Sequence, residues 1–129
     1  MAEGFLKSFD STLKVESAGT YPARHVNPFA VKVMLEVNIE IGDNRPKNVD
    51  NFLNESFDYV ITVCDNAKES CPIFRGKVKH QLHMRFDDPA ETMGSEDHVL
   101  VEFRRIRDEI SLAFGKFYKS TLAPQMSQL

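Results

Sequence analysis

Asp58-Tyr59-Val60-Ile61-Thr62-Val63-Cys64-Asp65-Asn66-Ala67-Lys68-Glu69-Ser70-Cys71-Pro72 is the stretch from which the fold is read. Tyr59 to Val63 are aromatic or β-branched and show no polar alternation. Such a run predicts a strand buried on both faces, as strands of parallel sheets are. Cys64 closes the strand. Asp65, Asn66 and Pro72 then mark an irregular segment that carries Cys71 near its far end. In open α/β sheets the carboxyl ends of the strands are where ligands and chemistry gather. Both cysteines of the chain fall in this one segment.

Outward from that strand, the chain alternates helical and extended patterns. Ala2, Phe5, Leu6 and Phe9 give an apolar face to a helix over Met1–Ser11. Leu13–Ser17 alternates and predicts a short strand. Asn27-Pro28 pairs an N-cap with a proline at the first helical position, opening a helix to about Val37 with Ala30, Val31, Met34 and Leu35 toward the core. Asn48 caps a predicted helix over Val49–Glu55. Lys79–Met84 is a weaker strand. Ser95 opens a long last helix in which Val99, Phe103, Ile106, Ile110, Phe114 and Phe117 keep a 3–4 spacing. Strands alternating with helices predict a three-layer α/β/α fold around a parallel sheet. Three strands make a thin sheet, one strand short of what such a fold requires.

The 129 residues suit one domain, 1–129, and the formal net charge of −3 gives no reason to expect a nucleic acid or an anionic membrane surface as partner. No apolar run approaches the roughly 18 residues of a membrane span. The first residues lack the basic and apolar regions of a secretion signal. Two cysteines in such a chain read as reduced thiols of a cytoplasmic protein.

The motifs have a family likeness. Ser17-Ala18-Gly19, Val26-Asn27-Pro28, Val60 to Ala67, Cys71-Pro72, Phe86-Asp87-Asp88-Pro89 and Phe103 to Ile110 occur in this order. In this the chain resembles the thioredoxin-coupled arsenate reductases, which share the low-molecular-weight tyrosine phosphatase fold. The likeness spans residues 1–118, leaving 119–129 as a loose tail. The resemblance implies a cysteine relay in which a phosphate-loop cysteine attacks arsenate, Cys64 attacks the adduct and releases arsenite, and Cys71 resolves the disulfide. The Cys64–Cys71 disulfide that remains is reduced by thioredoxin. It needs Cα atoms within about 5–7 Å, and closing so short a loop is worth about 2.5 kcal/mol. Asp88 is implied as general acid to a leaving oxygen or as a modulator of the nucleophilic thiol. A surface Asp-Pro turn is the other reading of Asp88.

One departure stands out. The family opens with a strand and a Cys-x5-Arg phosphate loop that runs into Met-Ala-Glu-Gly, where this chain has Met1-Ala2-Glu3-Gly4. The expectation is a sheet lacking its first central strand, a chain without the nucleophile, and either altered strand pairing or a homodimer by strand or segment exchange. Glu3 and Ser17 match two positions of a cation site found in some family members. Lys47 stands where those members have a carboxylate, so no metal and no cofactor are expected. His80 and His83 fall on opposite faces of a strand, a poor start for zinc. Arg104, Arg105 and Arg107 read as a solvated helix face paired with Glu102, Asp108 and Glu109. Two other functions compete: a low-molecular-weight tyrosine phosphatase relative, and a non-catalytic dimerising or thiol–disulfide module.

Overall fold

The computed structural model describes residues 1–19, 22–63 and 73–123. They form two compact units, one of residues 1–16, 26–44 and 89 onward, the other of residues 17–25 and 45–88.

The first unit is helical. Helix α1 (Ala2–Phe9) ends two residues before the sequence pattern suggests. Asp10 turns extended and its Oδ1 accepts from the Thr12 amide (2.9 Å) and hydroxyl (2.6 Å), which offers the backbone a turn in place of another helical residue. Helix α2 (Pro28–Leu35) starts as expected: Asn27 Oδ1 accepts from the Phe29 amide at 2.9 Å. It stops at Asn38, whose φ of 63° is the left-handed conformation that asparagine tolerates at a helix end. The Ile39 amide bonds back to the Met34 carbonyl at 3.0 Å, and the link beyond supplies Ile41, 3% exposed. Helix α3 (Glu96–Phe117) is capped by Ser95, whose Oγ accepts from the His98 amide at 3.2 Å. It continues as a single π turn, Tyr118–Leu122, where the sequence suggests a loose tail.

α1 and α2 both pack on α3. Leu100, Phe103, Ile106, Ile110, Phe114 and Phe117 are the buried stripe of α3, with Leu100 taking the first place that the spacing gave to Val99. Phe103 meets Phe29 at 5.6 Å between ring centroids. Phe5, Leu6, Ala30, Val33 and Met34 complete the cluster. Each large side chain buried this way contributes about 1.5–3 kcal/mol. Gly4 allows the close approach of α1: a Cβ there would sit 3.0 Å from Ile41 Cγ2 and 3.1 Å from Ile39 Cγ2.

The second unit holds a parallel pair, β1 (Phe57–Thr62) and β2 (Val78–His83), in the register Phe57↔Val78 to Thr62↔His83. Phe57 lies edge-on to Phe52 (6.3 Å) and Phe74 (5.9 Å). The predicted helix over Val49–Glu55 is a shorter 3-10 turn, Val49–Phe52, capped by Asn48. Leu13–Ser17 is not a strand. Its alternation sorts side chains between two faces, but a strand also needs a ladder, and none is formed against it among the described residues. Only Gly19 bridges to Asn48, through Gly19 N–H to Lys47 O (2.9 Å) and Val49 N–H to Gly19 O (3.0 Å). The described sheet therefore has two strands where the sequence predicts three.

Candidate active site

The carboxyl ends of the two strands are tied together past the last residues of the ladder. The Met84 amide donates to the Thr62 carbonyl at 2.9 Å, and the Phe86 amide to the Val63 carbonyl at 3.0 Å. Between the strands, Thr62 Oγ1 lies 2.7 Å from His83 Nδ1. The next residue after Val63 is Cys64, and the next after Phe86 are Asp87 and Asp88. The Val63–Phe86 bond thus sets side by side the residue that precedes the cysteine segment in sequence and the residue that precedes the Asp-Pro segment. That is the end of a parallel sheet at which chemistry is expected.

Cys64 and Cys71 themselves lie outside the described residues. Asp88 is exposed, in the segment between β2 and the 3-10 turn Pro89–Glu91. Arg85 Nη1 pairs with Asp87 Oδ1 at 3.4 Å, an exposed contact worth little by itself.

The cation-site positions divide between the units. Glu3 belongs to the helical unit, is 8% exposed, and meets Lys7 Nζ (3.4 Å) and Asn44 Nδ2 (3.3 Å). Lys7 and Asn44 satisfy a buried carboxylate that would otherwise be costly. Ser17 and Lys47 belong to the other unit, at the two sides of the Gly19–Asn48 bridge, and Lys47 Nζ sits 5.6 Å from the Phe52 ring centroid. Among the described residues no group of three His, Cys, Asp or Glu side chains is placed to hold a metal ion. His80 stacks on Tyr59 at 5.0 Å, while His83 faces Thr62, so the two histidines serve different neighbours.

The arginines of α3 divide as well. Arg105 pairs along its own helix with Glu102 (2.8 Å) and Glu109 (2.6 Å), as the spacing predicts. Arg104 instead reaches across to Glu36 with two bonds to Oε2 and Oε1 (2.8 and 2.9 Å). Arg107 joins Glu36 (2.9 Å) and the Val33 carbonyl (2.9 Å). The Arg104 hydrogen bonds and then the Arg107 contact hold the Glu36 carboxyl down from its ordinary 4.5 to about 2. These bonds clamp α2 to α3. Glu36 gave no sequence signal, since its partners lie 68 and 71 residues away.

A parallel strand pair, with cysteine and Asp-Pro motifs following its strands in the sequence, and helices packed as their own core fit an α/β enzyme of the low-molecular-weight phosphatase type. Comparison with known proteins agrees. The family model for low molecular weight phosphotyrosine protein phosphatase matches residues 1–127. The arsenate reductase of Shouchella clausii is 41% identical over 118 residues, which are 91% of this chain and 84% of that protein. The arsenate reductase of Bacillus subtilis is 39% identical over the same shares. A solved arsenate reductase in the phosphate binding state has a TM-score of 0.72 at 24% identity, covering 90% of this chain and 83% of that one. The thioredoxin-dependent arsenate reductase of Corynebacterium glutamicum gives a TM-score of 0.50 at 29% identity, covering 87% of this chain and 55% of that one. The chain belongs to the low molecular weight phosphotyrosine protein phosphatase family, and the relatives compared above are arsenate reductases. No helix among its described residues is long and apolar enough to cross a membrane.

Proposed function

We propose that this chain works in arsenate reduction, with Cys64 and Cys71 as the thiols that take up the oxidising equivalents and thioredoxin as the reductant that removes them. The observation that carries the reading is the Val63–Phe86 bond, which sets side by side the residues that precede the cysteine and Asp-Pro segments in sequence. The identity to arsenate reductases over nine-tenths of the chain supports it. The electrons balance. Reducing arsenate to arsenite takes two electrons; oxidising two thiols to one disulfide releases two electrons and two protons, and one oxygen leaves as water. Asp88 is the acid that protonates the departing oxygen or tunes the first attacking thiol. The Cys-x6-Cys-Pro spacing favours this over phosphoester hydrolysis, for which a second and third thiol have no use.

The sequence contains two cysteines, and neither is followed by an arginine six residues on. We propose accordingly that these 129 residues do not turn over arsenate unaided, the first thiol and its anion cradle having no counterpart among them. We also propose a homodimer by strand or segment exchange, because β1 is apolar yet only half-buried. The purified chain, oxidised by diamide, is expected to form a Cys64–Cys71 disulfide that thioredoxin reduces, and to elute as a dimer. It should leave arsenate unreduced with thioredoxin and its recycling system present. Two free thiols after oxidation would defeat the relay reading. Arsenite production would defeat the claim of inactivity, and a monomer at every concentration the exchange.

A further inference from the structure

We propose that the outer face of α3 is a contact surface for a second copy of this chain, which lies against it antiparallel about a two-fold axis. The inference is independent of the thiol relay and of strand exchange, and it concerns the helical unit, to which α3 belongs.

The buried stripe of α3 runs from Leu100 to Phe117. On the opposite side Asp97, Val101, Arg105, Asp108, Leu112 and Lys116 are all exposed, Val101 by 55% and Leu112 by 63%. At 3.6 residues per turn these six fall within an arc of about 100°. They also repeat. Asp97, Val101 and Arg105 read acid, apolar, base, and Asp108, Leu112 and Lys116 read the same again. The repeat is 11 residues, close to three helical turns, so the second set lies in line with the first.

A valine or leucine exposed singly carries no meaning. The symmetry of this stripe does. Arg105 and Asp108 stand equally far from the midpoint between Ile106 and Arg107; so do Val101 and Leu112, and so do Asp97 and Lys116. A two-fold axis crossing the helix at that midpoint brings up a second copy antiparallel and sets unlike residues level. Val101 then meets Leu112 of the second copy, Asp97 meets its Lys116, and Arg105 meets its Asp108, each contact occurring twice. A parallel copy would set every charge level with itself and be repelled. Arg105 bonds Glu102 and Glu109 in its own helix, and Asp108 bonds Arg107, so the contacts across the axis extend an existing charge network. Six side chains from each copy make a small interface, and the association is weak and reversible.

Sedimentation from micromolar to millimolar protein reads this association, whether the associating body is a single chain or an exchanged dimer. The mass of the parent is expected to rise with concentration. Leu112→Asp, checked for folding by circular dichroism, is expected to weaken the association at least about tenfold, because the lost contact occurs twice. Asp97→Lys and Lys116→Asp are each expected to weaken it about fivefold, two exposed attractions becoming two repulsions. Asp43→Lys, an equal change of charge away from α3, is expected to leave it unchanged. Association is expected to return in the double variant Asp97→Lys/Lys116→Asp, which keeps the parent's net charge, and in an equimolar mixture of the two single variants, whose copies complement one another. A parent mass that does not change with concentration would overturn the inference. So would an association that the α3 variants leave untouched, which would belong to strand exchange alone, and so would a double variant and a mixture that both fail to recover.

Discussion

Replacing glycine by alanine at two positions of this chain should move stability in opposite directions. At Gly76, just before β2, a Cβ would overlap the Glu55 carbonyl oxygen and carbon. The obstacle is backbone, so no side-chain rotation relieves it. The segment around Glu55 or the entry to β2 has to move by more than an ångström. Two hydrogen bonds depend on the present spacing: the Arg75 and Gly76 amides both donate to the Leu53 carbonyl, at 2.6 and 3.2 Å. Losing both costs about 2 kcal/mol, and the overpacking adds about 1–3, so Gly76→Ala should cost about 3–5 kcal/mol. Against a total stability of about 5–15 kcal/mol, that is a large share. At Gly115, inside α3, the nearest atom to a new Cβ is Phe9 Cζ at 3.9 Å, an ordinary contact. There alanine gains helix propensity, and Gly115→Ala should stabilise by about 0.8–1 kcal/mol. Urea unfolding followed by circular dichroism measures both, as midpoints shifted at constant slope. A Gly76→Ala midpoint equal to the parent's would refute the argument, because it would mean the Leu53–Ser56 segment yields freely.

Glu36→Gln tests the clamp between α2 and α3. The carboxyl is depressed from 4.5 to about 2, so the stability it lends is full above 4.5 and disappears as pH falls toward 2. The variant should lose the parent's extra fall in thermal midpoint across that window, an effect that high salt reduces because the pair is exposed. Tyr118 donates to Asp10 Oδ2 at 2.9 Å, and that hydrogen bond, then desolvation and the facing carboxylate charge, raise its ionisation above the ordinary 10; ultraviolet titration of Asp10→Asn should show the tyrosine ionising at lower pH than in the parent. Phe103→Ala, at a site 2% exposed, should cost about 3–5 kcal/mol, while Leu112→Ala on the same helix, 63% exposed, should stay within about 0.5 kcal/mol by urea unfolding. Amide hydrogen exchange should be slowest at the buried turns of α3 and faster in β1 and β2, a pattern that equal protection in strands and helix would contradict.

The helices were the legible part of the fold. Asn27-Pro28 and Ser95 carry their starts in local chemistry, and the α3 stripe repeats its buried positions over five turns, so neighbouring residues decide the outcome. Leu13–Ser17 shows why strands read less well: alternation fixes the faces, while the ladder depends on residues far along the chain. Of the candidate site, the β1 and β2 patterns located the strands that precede the cysteine and Asp-Pro motifs in the sequence, while Cys64 and Cys71 themselves lie outside the described residues. Thr62, His83 and Glu36 were not legible as a site or a clamp. His83 drew notice only as half of a doubtful metal pair, because its true neighbour is set by the register Thr62↔His83, which no short pattern encodes.

The two units divide the burden unevenly. Every fully buried apolar side chain among the described residues belongs to the helical unit, from Phe5 to Phe117. In the other unit the most apolar run of the chain, Tyr59 to Val63, is half-buried at best, with Val63 38% exposed. A parallel strand of that composition is suited to cover on both faces. Its hold on the fold therefore comes less from packing than from discrete bonds: the β1–β2 ladder, the Thr62–His83 contact, and the Val63–Phe86 bond. Discrete bonds fix position without filling a core.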